Sequence, residues 1–288
     1  MDFIVTLING ISLGGIYAMI ALGYTMVYGI AKMLNFAHGD VIMVGGYTVL
    51  VFLAINPILA IVASVIMCVL LGIVVEKVAY KPLRAASPLA VLITAIGVSY
   101  LLQSIAQIIF GSASKYVIIA ELGNLTLGTL SISYATLITL AASIVIMIAL
   151  TLFVKYTRTG RAMVAVSEDK SAASLMGINI NFIITITFAI GSALAALAGV
   201  FSLLRVPSII PTYGALPGIK AFTAAVIGGI GSIPGAMLGG ILLGVVECIC
   251  NSIPAIAPYT TAVEFSILII ILLVKPTGIL GKKRREKV

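Results

Sequence analysis

Tryptophan is absent from this chain of 288 residues, histidine occurs once and cysteine three times. Metal chemistry and a conventional catalytic triad are therefore poorly supplied, and no HExxH motif is present. Cys68, Cys248 and Cys250 lie in apolar runs, where they read as small buried residues rather than a disulfide set. Charge is also scarce: Asp, Glu, Lys and Arg make up 9% of the chain, against about 25% in a soluble domain. Hydrophobic residues make up 61%, and the mean hydropathy is +1.26. A water-soluble fold of this length could not hide so much apolar surface. The composition is that of an integral membrane protein. Met1-Asp2-Phe3 lacks the basic start of a cleavable signal peptide, so the first apolar run is expected to remain as a span.

A span needs about 20 mostly apolar residues. Phe3–Ala31 satisfies this without a charge, and shorter or similar runs follow at Val41–Ile55, Ile58–Val75, Leu89–Phe110, Leu130–Val154, Phe182–Leu204 and Thr260–Val274. Ala221–Ile249 is broken at Gly228–Gly235 into two pieces, each short for a span and expected to cross in and out or to form a re-entrant pair. These predict one all-α domain over residues 1–288, with eight or nine membrane segments. Lipid-facing strands are excluded, because backbone groups must bond within their own segment. The net charge of +8 follows from sidedness, not from nucleic-acid binding. Lys77, Lys81, Arg84, Lys155, Arg158, Arg161, Lys170 and the tail Lys282-Lys283-Arg284-Arg285 all fit one cytoplasmic face, with the N-terminus outside and the C-terminus inside.

Lys155–Ile180 stands out, with six charges between Lys155 and Lys170 and apolar runs on both sides. Ser167-Glu168-Asp169-Lys170 reads as a helix start, Ala172, Ala173, Leu175 and Met176 as an apolar stripe, and Gly177 as a stop. A helix of about nine residues is marginal in water, so it needs something to dock against. The polar run Asn35–Asp40 has two readings. It is a broken helix lining a cavity or gate, or a tight turn in which Asp40 caps the next helix and His38 is wet. Asn35–Gly39 and Gly231–Gly235 both interrupt apolar runs and precede glycine pairs, Gly45-Gly46 and Gly239-Gly240, which hints at an internal repeat. The glycine-rich break lacks the Lys-Ser/Thr ending of a phosphate loop. Glu247 and Glu264 lie within apolar runs, where an ionisable residue is costly; an ion-coupled carrier would use them, and an intramembrane enzyme would use His38 and Asp40.

Leu34-Asn35-Phe36-Ala37-His38-Gly39-Asp40 with Met43-Val44-Gly45-Gly46-Tyr47 resembles the N-terminal signature of permease subunits of branched-chain amino acid ABC importers, the LivH type. Gly160-Arg161-Ala162, Glu168-Asp169 and Ala172-Ala173 with Gly177-Ile178 are similar to that family's cytoplasmic coupling loop, spanning about 155–181. Gly228–Ala236 resembles its C-terminal glycine motif. The three occur in the family's order, and the resemblance spans essentially the whole chain. The resemblance implies a subunit with no ATPase site, cofactor or metal of its own. Its expected partners are two cytoplasmic ATPases that bind the ATP, a second related permease and an extracytoplasmic binding protein, in a bacterial or archaeal plasma membrane. Glu168, Asp169, Ala172, Ala173, Leu175, Met176 and Gly177 are the expected coupling residues. Asn35, His38, Gly39, Asp40, Gly45, Gly46, Gly229, Gly231, Pro234 and Gly235 are the expected path or gate. An uncharged, glycine-lined path suits leucine, isoleucine and valine, with other amino acids, urea or short amides as alternatives within the family.

Overall fold

The computed structural model describes residues 3–84, 86–127 and 130–281. The basic tail Lys282–Arg285 lies outside the described residues. Helices carry most of the chain, since a backbone group facing lipid has no water to bond. They are α1 (Phe3–Ala31), α2 (His38–Leu53), α3 (Pro57–Val75), α4 (Pro88–Phe110), α5 (Tyr134–Tyr156), α6 (Arg158–Glu168), α7 (Lys170–Leu175), α8 (Ile180–Arg205), α9 (Ala215–Gly228), α10 (Ile233–Ser252) and α11 (Thr260–Val274). Among the described residues seven helices are long and apolar enough to cross a membrane, and α2 and α9 are shorter apolar helices.

Two segments differ from the sequence expectation. The run expected from Leu130 begins its helix only at Tyr134, where Ser133 caps it through a bond from the Ala135 N–H. Leu130–Ser133 pairs instead with Asn124–Leu127 as a hairpin. A second short pairing, Lys115–Tyr116 with Ser208–Ile209, joins the loops after α4 and α8. Of the two pieces at 221–249, only α9 is short. α10 starts at Ile233, capped by Ser232 with Pro234 in its first turn, and is long enough to cross.

α1, α8 and α10 form the centre. α1 and α8 run antiparallel, because Arg205 at the end of α8 donates to Ser12 near the start of α1, while Lys170, just before α8, reaches Ala31 at the end of α1. α1 meets α10 through glycine: a Cβ added at Gly240 would lie 2.4 Å from the Ala18 nitrogen, and one at Gly14 would lie 2.6 Å from the Ile241 Cα. Small residues let backbones approach this closely, which is how helices pack where lipid removes the hydrophobic drive.

The packing is pairwise symmetric. α1 lies against α10 as α8 lies against α3; α2 contacts α8 as α9 contacts α1; α2 also packs on α3 as α9 packs on α10. The repeat is therefore long helix, break, short helix, long helix. The interruption matching residues 32–37 is the segment 206–214 before α9, not Gly231–Gly235 as the glycine spacing suggested. The two short helices meet at their starts, where a Cβ on Gly39 would be 2.5 Å from the Gly214 carbonyl oxygen.

Candidate functional site

Lys155, Arg158, Arg161 and Lys170 fall at the end of α5 and along α6 and α7. Thr157 caps α6 by accepting from the Gly160 N–H at 2.9 Å. Gly160 lets α6 fold back on the end of α5, since a Cβ there would be 2.3 Å from the Phe153 carbonyl oxygen. Gly160, Met163 and Val166 face inward, and Arg158 and Arg161 face out. The sequence reading started a helix at Ser167. Instead Glu168 ends α6, and Asp169 caps a separate six-residue helix, accepting from the N–H groups of Ser171 and Ala172 at 2.8 and 3.0 Å. Ser167 and Asp169 are both good caps; Ser167 lies within α6, where its hydroxyl donates to the Val164 carbonyl at 2.7 Å, and Asp169 takes the cap of α7.

The far end of α7 is closed by Gly177. It has φ of 80°, the Ile178 N–H bonds to the Ala173 carbonyl at 3.1 Å, and the Gly177 N–H bonds to Ser174 at 3.0 Å. That is a Schellman closure, for which glycine avoids the Cβ penalty of the left-handed region. Between these caps only Ala173 is buried, at 4% exposure; Leu175 is 90% exposed and Met176 82%. Glu168, Asp169, Ala172 and Gly177 are exposed with them. A cleft of about 450 Å³ opens beside α7, lined by Lys170, Ser171, Ser174, Leu175 and Ile180.

The run Asn35–Asp40 lies inside the bundle, which corrects the wet turn. His38 is 1% exposed and Asp40 2%; both belong to the first turn of α2, whose N-cap, Ala37, makes no side-chain bond. His38 packs edge-on against Tyr24 at 4.8 Å, where a Cβ on Gly23 would lie 2.3 Å from its Nε2. Gln103 of α4 donates to Asp40 Oδ1 at 2.8 Å. Asn35, 5% exposed, accepts from the Tyr80 hydroxyl at 2.8 Å. Tyr80 closes a π-helical turn, Glu76–Tyr80, that continues α3. Glu76, fully buried, pairs with Arg84 and accepts from Thr185 at 2.8 Å.

The other expected gate residues fall into two places. Gly45 and Gly46 sit further along α2, against Ser64 and Cys68 of α3 and against Ile209. Residues 229–232 form the turn from α9 to α10, with Pro234 and Gly235 in the first turn of α10, and a Cβ on Gly29 of α1 would lie 3.6 Å from Gly231. The segment after α11 docks there: the N–H groups of Ile279 and Leu280 donate to the Ile227 and Gly228 carbonyls at 2.8 and 2.9 Å. Gly229 at φ 107° lies against Gly278 and Gly281.

Lys220 stands just outside the apolar run Ala221–Ile249 and is not among the residues expected from the sequence. Lys220 on α9 is 2.8 Å from Glu247 Oε1 on α10 and 3.2 Å from Glu264 Oε2 on α11. The Tyr17 hydroxyl of α1 donates to Glu247 Oε2 at 2.7 Å. A lysine within two positions of Gly218, entering an apolar run that carries a glutamate, was the available signal. Gly10-Ile11-Ser12-Leu13-Gly14 has the spacing of a nucleophile elbow, but it lies within α1 and Ser12 donates to the Thr136 carbonyl.

Half-length helices that begin inside a bundle of full-length spans define a polytopic membrane protein of the transporter kind. A family model described as branched-chain amino acid transport system / permease component matches residues 6–272. The chain belongs to that family. It is 45% identical to the high-affinity branched-chain amino acid transport system permease protein BraD of Pseudomonas aeruginosa, over 98% of this chain and 97% of the relative. It is 43% identical to the corresponding permease protein LivH of Salmonella typhimurium and 42% identical to LivH of Escherichia coli, each over 99% of this chain and 98% of the relative.

Proposed function

We propose that this chain is the membrane-spanning permease subunit of an ATP-driven importer that moves branched-chain amino acids inward. Two ATPase subunits dock on its basic, cytoplasmic end, a second related permease completes the path, and a binding protein delivers substrate to the opposite end. The observation that carries this is α7: a helix too short to persist alone, closed at both ends, that turns Leu175 and Met176 outward. Burying both side chains in a partner would contribute about 3–6 kcal/mol, at about 1.5–3 each. In this reading ATP-driven closure displaces α6 and α7, and the spans attached to them switch the path from outward to inward facing. The chain does no chemistry. Leucine, isoleucine and valine are the substrates, and the binding protein sets most of the choice among related solutes.

The ion-coupled alternative relied on Glu247 and Glu264; Lys220 engages both, so no idle carboxylate favours that reading. The test is Leu175→Asp with Met176→Asp, two exposed positions whose replacement leaves Ala173 and the bundle alone. ATPase subunits are expected to stop co-purifying with the permease, and leucine uptake to stop with them. Unchanged association and uptake would sink the docking role.

A further inference from the structure

Lys170 is the first residue of α7, yet its side chain points away from the face that carries Leu175 and Met176. Its Nζ donates to the carbonyl of Ala31, 139 positions earlier, at 3.0 Å. Ala31 is the last residue of α1, and it is 5% exposed. The end of a helix leaves four carbonyls without intrahelical partners and carries partial negative charge, so an ammonium is favoured there. α1 ends abruptly. Lys32 turns the chain at φ 62°, a left-handed position that a lysine adopts only at a cost. Its N–H bonds to Tyr28 at 3.0 Å, and its Nζ reaches the Gly29 carbonyl. Six residues later α2 begins at His38, with Gly39 against Gly214 where the two short helices meet.

Lys170 and Ala173 are thus the two places where α7 faces the protein, one polar and one apolar. The polar one reaches the end of α1, where the break between α1 and α2 begins. Partial burial and the nearby Arg84 both lower the pKa of its ammonium from the ordinary value, against which the Ala31 carbonyl at the end of α1 is the attraction. The Ala31 carbonyl is what positions it.

We infer that Lys170 is a positioning residue that ties the ATPase-docking helix to the end of α1, so that movement of α7 pulls on the break at residues 32–37 and through it on the paired starts of α2 and α9. The inference rests on the docking reading above and adds the route by which docking reaches the bundle. It assigns Lys170 to the inner face of the coupling element, and Leu175 and Met176 to the outer.

The test uses the full transporter, with its ATPases, partner permease and binding protein, in proteoliposomes with leucine as the probe. Lys170→Met keeps most of the stem and removes the ammonium; Lys170→Arg keeps a cation. In Lys170→Met the ATPases are expected to remain bound and to hydrolyse ATP. Leucine moved per ATP is expected to fall roughly fivefold or more, the low end of an ordinary coupling between sites. Lys170→Arg is expected to restore most of that ratio. A merely structural role would lower complex yield, hydrolysis and uptake together with the ratio unchanged, and that result overturns the inference. So does loss of the ATPases from Lys170→Met, which would make Lys170 a docking residue and leave the docking reading standing. If Leu175→Asp with Met176→Asp keeps its ATPases, the docking reading fails and the tie falls with it; if that variant loses them while Lys170→Met leaves leucine moved per ATP unchanged, the tie alone fails.

Discussion

Replacing Lys220 by methionine removes the cation that bridges Glu247 and Glu264 and leaves the stem's volume nearly unchanged. At an effective dielectric constant of about 20, a charge pair at 2.8 Å is worth about 6 kcal/mol and one at 3.2 Å about 5. Desolvating each ion costs several kcal/mol, so the intact cluster contributes little net stability. The variant, however, keeps the cost and loses the attraction. Glu264, 1% exposed, and Glu247 would face each other without the bridging ammonium, although the Tyr17 hydroxyl still donates to Glu247. Breaking a buried pair in this way costs about 3–5 kcal/mol. At about 2–4 °C per kcal/mol, this lowers the thermal midpoint by about 6–20 °C. The assay is monodispersity of the detergent-purified chain after heating, read by size exclusion. Adding Glu247→Gln and Glu264→Gln to the same chain is expected to recover most of the loss, because the unpaired charge has gone. A drop below about 2 °C in the single variant, or no recovery in the triple, would refute the claim that the three side chains act as one buried ionic unit.

Two further outcomes follow from packing. Gly240→Val puts methyl groups into the Ala18 backbone at the α1–α10 crossing, so it should cost at least about 1–3 kcal/mol and depress the yield of folded protein. Gly97→Val, on an open face of α4 with nothing within 4 Å, should stay within about 0.5 kcal/mol in the same assay. Tyr80→Phe leaves the buried Asn35 acceptor unbonded, at about 1–3 kcal/mol. Asn35→Leu in the same chain should restore part of that, measured as the shift in thermal midpoint between the single and double variants.

Much of the membrane architecture was legible in the chain, because hydropathy over some 20 residues is a property of composition and survives any packing. Phe3–Ala31 matched to the residue, and Gly177 was recognisable as a stop because few residues accept a left-handed backbone. Boundaries governed by competition were not. Ser167 and Asp169 are both good caps, and only the fold-back of α6 onto α5, through Gly160, carries the first helix through Ser167 and leaves Asp169 to start the next. Leu130–Ser133 was apolar enough for a helix but found a strand partner at Asn124–Leu127.

What the amino-acid order determined alone is that this chain lives in a membrane, crosses it many times and carries a short charged segment, closed by Gly177, between two of its spans. These depend on neighbours in sequence. What only the tertiary structure decided is where the polar residues go. His38 and Asp40 are buried, Lys170 reaches Ala31, and Lys220 finds Glu247 and Glu264 on two other helices. The true repeat likewise emerged from which helices touch and not from glycine spacing. A buried charge must find its partner wherever the fold brings one within about 4 Å, and no local pattern encodes a distance between helices.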